Sequence, residues 1–260
     1  MENIAMAKKE INKRADPASQ TNMERAYEEQ LEEYIARDFV SNVDKVNYFA
    51  KYVPRQRLAD FIARYELFRK VLNVHGSVVE CGVYMGGGLM TYANLSAILE
   101  PVNHQREIIG FDTFEGFPSL HSKDDGPWYR HKNTGGMESN AYEDIQEAIR
   151  LFDMNRPLSH IPKVEIVKGN AVKTIPDYME KNPHLVISLL YLDFDIYEPT
   201  VTALKSFMPR IPKGGIIAFD ELNKKQWPGE TQAVIEEIGL PNLRIQRFPY
   251  SSFISYAVIE

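Results

Sequence analysis

From residue 77 to the end of the chain, short apolar runs alternate with amphipathic stretches. The runs at 77–81, 107–112, 164–168, 185–193 and 215–220 predict strands. Helical periodicity near 88–99, 139–152, 172–181, 197–208 and 230–238 fills the intervals. Runs this apolar predict strands covered on both faces, as in a parallel sheet, and the alternation predicts a doubly wound α/β domain. Two further strand-like runs, 243–248 and 253–259, are parted only by Pro249, Tyr250, Ser251 and Ser252. So short a link excludes a parallel crossover and predicts a terminal antiparallel hairpin.

Ahead of the sheet pattern, 1–22 is polar, broken by Asp16-Pro17, and expected to be frayed. A charged helix is expected over 23–39. Over 54–73, Leu58, Phe61, Ile62, Tyr65, Phe68 and Leu72 recur at helical spacing behind Pro54, which suits a first turn; this predicts a packing helix. The expected division is an N-terminal helical extension, 1–53, and one catalytic domain, 54–260. The stretch 116–137, rich in Gly, Asp, His and Lys and containing Trp128 and Tyr129, shows no periodicity and is expected to be an active-site lid.

Composition narrows the function. At 260 residues and 44% hydrophobic, the chain suffices for one sizeable core with an appendage. A formal charge of -6 argues against a nucleic-acid binder held by phosphate contacts. Cys81 is alone, so no internal disulfide forms, and no apolar leader is visible; a cytoplasmic, non-membrane protein acting on a small molecule is expected.

In open α/β sheets ligands bind beyond the carboxyl ends of the strands. The expected strand ends carry Glu80, Asp112, Asp193 with Asp195, and Asp220 with Glu221. One acidic strand end is ordinary, whereas four together point to a site, since clustered carboxylates repel without compensating cations. Gly82 to Gly88 form a glycine-rich turn, but Tyr84 stands where a dinucleotide fingerprint needs its second glycine, and no lysine follows Gly88 for a Walker A loop. Asp112 suits an adenosine ribose, unless it only caps a turn; Asn170, next to Ala171, suits an adenine edge or a helix cap. Asp193, Asp220 and Glu221 offer hard oxygen ligands for Mg²⁺, Mn²⁺ or Ca²⁺. Such an ion would acidify an alcohol, whose pKa is near the ~15.7 of water.

At these residues the sequence resembles the macrocin O-methyltransferase (TylF-type) family of class I methyltransferases. The resemblance is carried by Val79-Glu80-Cys81-Gly82-Val83-Tyr84-Met85-Gly86-Gly87, Gly110-Phe111-Asp112-Thr113-Phe114-Glu115-Gly116-Phe117-Pro118, Leu192-Asp193-Phe194-Asp195-Ile196-Tyr197-Glu198-Pro199-Thr200, and Lys213-Gly214-Gly215 through Asp220-Glu221. It implies a Rossmann-like fold with a mostly parallel seven-stranded sheet, S-adenosylmethionine, Mg²⁺, and a deoxysugar hydroxyl as acceptor, nucleotide-linked or on a glycosylated product. It implies Glu80, Gly82, Val83, Tyr84, Asp112, Thr113, Asn170, Ala171 and Asp193 around the cofactor, and Asp193, Asp220 and Glu221 around the metal. Asp193 or Asp195 would assist deprotonation. The N-terminal helices are expected to mediate homo-oligomerisation. Two departures stand out: Glu221 replaces a frequent second aspartate, and Gly88 a common serine. Related catechol methyltransferases carry a lysine where this chain has Ile196, so the base is expected to be a carboxylate, or His121 or His131 of the lid. Three rival readings remain: a catechol-type methyltransferase, a nicotinamide-dependent oxidoreductase, and a cofactor-binding module without activity.

Overall fold

The structure, a computed structural model, describes residues 21–127 and 131–260. The polar stretch 1–20, and Trp128 and Tyr129 of the expected lid, lie outside the described residues. By packing, the chain divides into two compact units after Leu58. The expected functional division before Pro54 differs from this by the first turn of one helix.

The first unit holds α1, Asn22–Ile35, and α2, Asn42–Asn47. Thr21 starts α1 with a reciprocal capping box to Glu24, and Ser41 caps α2. The helix expected over 23–39 ends at Ile35, and α2 was not expected. Tyr34 stacks on Tyr52 with ring centroids 5.2 Å apart.

The packing division falls inside α3, Arg55–Val71. The second unit is a seven-stranded sheet in the order β3-β2-β1-β4-β5-β7-β6. Its strands are β1 Ser77–Cys81, β2 Ile108–Asp112, β3 Val164–Lys168, β4 Ile187–Leu192, β5 Ile216–Phe219, β6 Gln246–Arg247 and β7 Ser255–Val258. The first five pair in parallel, with Val79 opposite Ile109 and Leu190. β7 runs antiparallel between β5 and β6. The expected hairpin is present, shortened on its outer strand. Helices α4 Gly87–Leu99, α5 Tyr142–Met154, α6 Ala171–Lys181, α7 Tyr197–Phe207 and α8 Pro228–Glu237 alternate with the strands.

The two-residue period of a strand sorts side chains into two cores. Val78, Ile108, Leu189, Tyr191 and Ile216 face α3, α4 and α5. Val79, Cys81, Ile109, Phe111, Leu190 and Leu192 face α6, α7 and α8. Every residue of β1, β4 and β5 is buried, as the apolar runs required. The stripe expected on α3 is rotated, however. Phe61 and Ile62 are exposed, and the buried face is Ala63, Leu67, Phe68 and Val71. Small Ala63 at the right phase outranks two larger side chains at the wrong one. No described helix is long and apolar enough to cross a membrane.

At the amino ends of the strands, a buried knot ties the sheet together. Arg106 pairs with Glu100 at 2.7 Å, donates to Ser188 Oγ, and reaches the carbonyls of Gly76, Val71 and Val74.

Candidate active site

The acidic rim forms at the opposite, carboxyl ends. After β1 the chain turns at Gly82, whose N–H donates to Phe111 O at 2.9 Å; alongside, the Asp193 N–H donates to Cys81 O at 2.7 Å. Gly82 adopts φ +99°, and a Cβ there would lie 1.9 Å from Asp193 O. The β1 turn and the end of β4 therefore meet backbone to backbone, which sets Asp193 beside Glu80.

Glu80 is buried, and burial, opposed by Arg64 and reinforced by Asp112 and Asp220, pushes its carboxyl up to about 8. Asp193 keeps 28% of its side chain exposed. Its carboxyl is held well above the usual range by desolvation and by the charges of Asp220, Asp195 and Glu221. Asp220 Oδ1 accepts from Tyr191 Oη at 2.6 Å. These acids, from three adjacent strands, converge as expected.

Glu221 is engaged elsewhere. Its Oε1 is 2.5 Å from Lys224 Nζ, its N–H donates to Glu230 Oε1, and Asp195 shares a hydrogen bond with it. Among the described residues, no group of three His, Cys, Asp or Glu side chains is placed to hold a metal. The expected set Asp193, Asp220 and Glu221 is not gathered into one such group, and the longer Glu221 turns back to a lysine. Asp195, at φ +63°, belongs to that inner knot and is buried. Burial and Glu221 hold its carboxyl well above the usual range.

Several expected cofactor contacts have local structural partners. Asp112 Oδ2 accepts from the N–H groups of Val83 and Tyr84 at 2.7 and 2.8 Å, and Oδ1 from Phe114 at 2.6 Å. It thereby fixes the β1 turn against β2, with Tyr84 at φ +50°. A carboxylate has about four acceptor positions, so these three bonds leave one. Thr113 Oγ1 bonds Gly116 O and closes the next turn. Asn170 Oδ1 caps α6 through the Val172 N–H, and Ala171 is buried at the helix start.

The described part of the expected lid is tied down. His121 Nδ1 accepts from Lys123 N–H, so this nitrogen serves as a turn cap, and its ring lies 4.9 Å from that of Tyr197. Lys123 bonds Glu236 and Tyr197; Lys132 donates to Gln226 O. The His131 carbonyl accepts from Asn133.

Three residues escaped the sequence analysis: Arg64, Lys224 and Glu230. Arg64 Nη2 lies 4.0 Å from both Glu80 Oε1 and Asp193 Oδ2, with its guanidinium 4.7 Å from the Tyr191 ring centroid. Glu230 is fully buried beneath Glu221. A signal was present for two of them. Arg64 stands three, four and seven residues before the buried Leu67, Phe68 and Val71, and Glu230 three and four before Ala233 and Val234. A charge in phase with a core face needs a buried partner.

Strand order and acidic rim together define a class: the doubly wound, Rossmann-like fold of the class I methyltransferases. The model of the macrocin-O-methyltransferase (TylF) family matches residues 6–236. The chain belongs to this family. The crystal structure of CalS11, described as a calicheamicin methyltransferase, aligns at TM-score 0.87 and 30% identity, over 92% of this chain and 93% of that one. An apo structure of CalS11, described as a TDP-rhamnose 3'-O-methyltransferase of calicheamicin biosynthesis, aligns at 0.79 and 30% identity over 92% and 95%. A curated Streptomyces olivaceus protein, 8-demethyl-8-(2,3-dimethoxy-alpha-L-rhamnosyl)-tetracenomycin-C 4'-O-methyltransferase, is 27% identical over 163 residues, 57% of this chain and 54% of the relative. The match thus spans about half of that relative's length.

Proposed function

We propose that this chain transfers a methyl group from S-adenosylmethionine to a deoxysugar hydroxyl, nucleotide-linked or on a glycosylated natural product. The observation that carries the reading is the convergence of Glu80, Asp193 and Asp220 at the carboxyl ends of β1, β4 and β5. The relatives support the acceptor class, since two of them are described as methylating rhamnose units.

The buried Glu80 Oε2 has no hydrogen-bond partner among the described residues and suits the cofactor's ammonium. The remaining acceptor position of Asp112 suits a ribose hydroxyl. S-adenosylmethionine, when bound, would supply an electrophilic methyl on sulfur; the sugar oxygen would take that methyl and give up its proton as S-adenosylhomocysteine leaves. Asp193 Oδ2 is the acceptor assigned to the proton. Its partial exposure admits the hydroxyl. Tyr191 Oη and the Cys81 carbonyl hold Asp220 and the Asp193 backbone in place.

A hard dication fits Asp193 and Asp220, not the three-carboxylate set. Two carboxylates with water and substrate oxygens are a common Mg²⁺ environment, and Asp193 and Asp220 repel one another here. Such an ion would lower the pKa of the hydroxyl. Homo-oligomerisation belongs to the same proposal and is read by light scattering.

The test is incubation with S-adenosylmethionine, with and without Mg²⁺, against TDP-rhamnose, rhamnosylated aglycones, a catechol and, separately, NADH. A 14-dalton gain on a sugar supports the proposal; gain on the catechol alone, or binding of NADH alone, overturns it. Asp193→Ala is expected to abolish turnover while retaining the fold and S-adenosylhomocysteine binding.

A further inference from the structure

Most of the rim suits positive charge, and the cofactor reading leaves one group without a seat. S-adenosylmethionine carries a sulfonium and an ammonium, which acids attract, and a carboxylate, which they repel. Cations facing the rim are therefore informative. Lys224 is engaged by Glu221 at 2.5 Å. Arg64 is different. Its two ion-pair distances, 4.0 Å each, exceed hydrogen-bonding range, and its buried Nε has no hydrogen-bond partner among the described residues. Beside it, Glu80 Oε2 is equally without a partner.

An unpaired buried donor next to an unpaired buried acceptor matches a ligand bearing both charges at one end. An α-amino acid is such a group. We propose that Arg64 binds the carboxylate of the cofactor's amino-acid tail, while Glu80 binds its ammonium; this rests on the methyltransferase reading above.

The surroundings suit that role. Tyr191 lies under the guanidinium at 4.7 Å and is itself held by Asp220, so the planar fork has a fixed orientation. Gly88 makes the space. A Cβ there would lie 1.8 Å from Glu80 Oε1 and 3.0 Å from Arg64 Nε. Glycine at this position lets the α4 start pass close to both groups. The side chain of Arg64 retains 14% exposure, so part of it meets solvent beside the buried Glu80. Burial alone would lower its proton affinity, but Tyr191, Tyr92, Glu80 and Asp193 more than offset this, and the group stays charged.

Titration calorimetry with two ligands isolates the contact. S-adenosylhomocysteine has the whole tail; its decarboxylated analogue, S-adenosyl-3-thiopropylamine, keeps adenosine, thioether and amine. Wild type is expected to prefer the first by roughly ten- to hundredfold, the span of a charge-assisted contact. In Arg64→Met that ratio is expected to collapse to about threefold or less, and in Arg64→Lys to fall between. A ratio unchanged in Arg64→Met overturns the proposal, as does a wild type that binds both ligands equally. If Arg64→Met fails to fold by circular dichroism, Arg64→Lys decides, and an unchanged ratio there overturns it too. A folded wild type that binds neither ligand sinks the methyltransferase reading, a result distinct from equal binding of both.

Discussion

Gly82→Ala is the sharpest perturbation of the site, because it adds one methyl where two backbones meet. The new Cβ would lie 1.9 Å from Asp193 O and 2.6 Å from Asp193 C, against an ordinary contact of ~3.5 Å. Neither atom belongs to a flexible side chain, so β1 and β4 must separate. They are central neighbours, with Cys81 opposite Leu192, and the Asp193 N–H to Cys81 O bond would stretch or break. A residue other than glycine at φ +99° adds about 1–3 kcal/mol of strain. A lost buried hydrogen bond adds about 1–3 kcal/mol, and the displaced packing about as much again, for a total of about 3–9 kcal/mol. Gly87→Ala is the control, since a Cβ there meets nothing within 4 Å. Urea denaturation followed by far-ultraviolet circular dichroism gives both values. Gly87→Ala is expected within about 1 kcal/mol of wild type. A Gly82→Ala loss below about 1.5 kcal/mol, with S-adenosylhomocysteine binding intact, would refute the backbone crossing.

Two further outcomes are expected. Arg106→Met removes the centre of the knot at the amino ends of the strands, leaving Glu100 and several carbonyls unpaired; a loss of about 3–5 kcal/mol is expected by urea denaturation, and under 1 kcal/mol would show the knot to be dispensable. For pH, the folded Glu80 carboxyl at about 8 lies above its ordinary 4.5, so the folded state holds the extra proton between those values. Stability of the ligand-free protein is therefore full below about 4.5 from this group and falls as pH rises towards 8, by on the order of a few kcal/mol. Saturating S-adenosylhomocysteine should flatten that slope, because an ammonium favours the charged carboxylate; parallel slopes with and without ligand would contradict it.

Much of the fold was legible because five buried strands wrote their two-sided burial as continuous apolar runs. The acidic strand ends were legible for the same reason, since a charge ending such a run stands out. The order of the last strands was not, because nothing local tells β7 to insert between β5 and β6. The α3 face was misread through the size of Phe61 and Ile62, where phase mattered more. The inward turn of Glu221 was not legible, because its partner Lys224 lies three residues on, within a turn whose path the sequence did not reveal. Arg64 was missed through its distance in sequence from the glycine turn, although its phase on α3 marked it. Asn170 and His121 show the opposite difficulty: polar residues placed for chemistry that spend their hydrogen bonds on helix starts.

The Arg106 knot and the acidic rim sit at opposite ends of the same strands, and this has an evolutionary corollary. Heat selection on the ligand-free scaffold would leave the cross-tied end alone and act where like charges crowd. Variants enriched by temperature alone are expected to carry neutral residues at Glu80 or Asp193, sturdier than their parent and inert. Any engineering campaign on this fold therefore needs a binding screen running beside the thermal one.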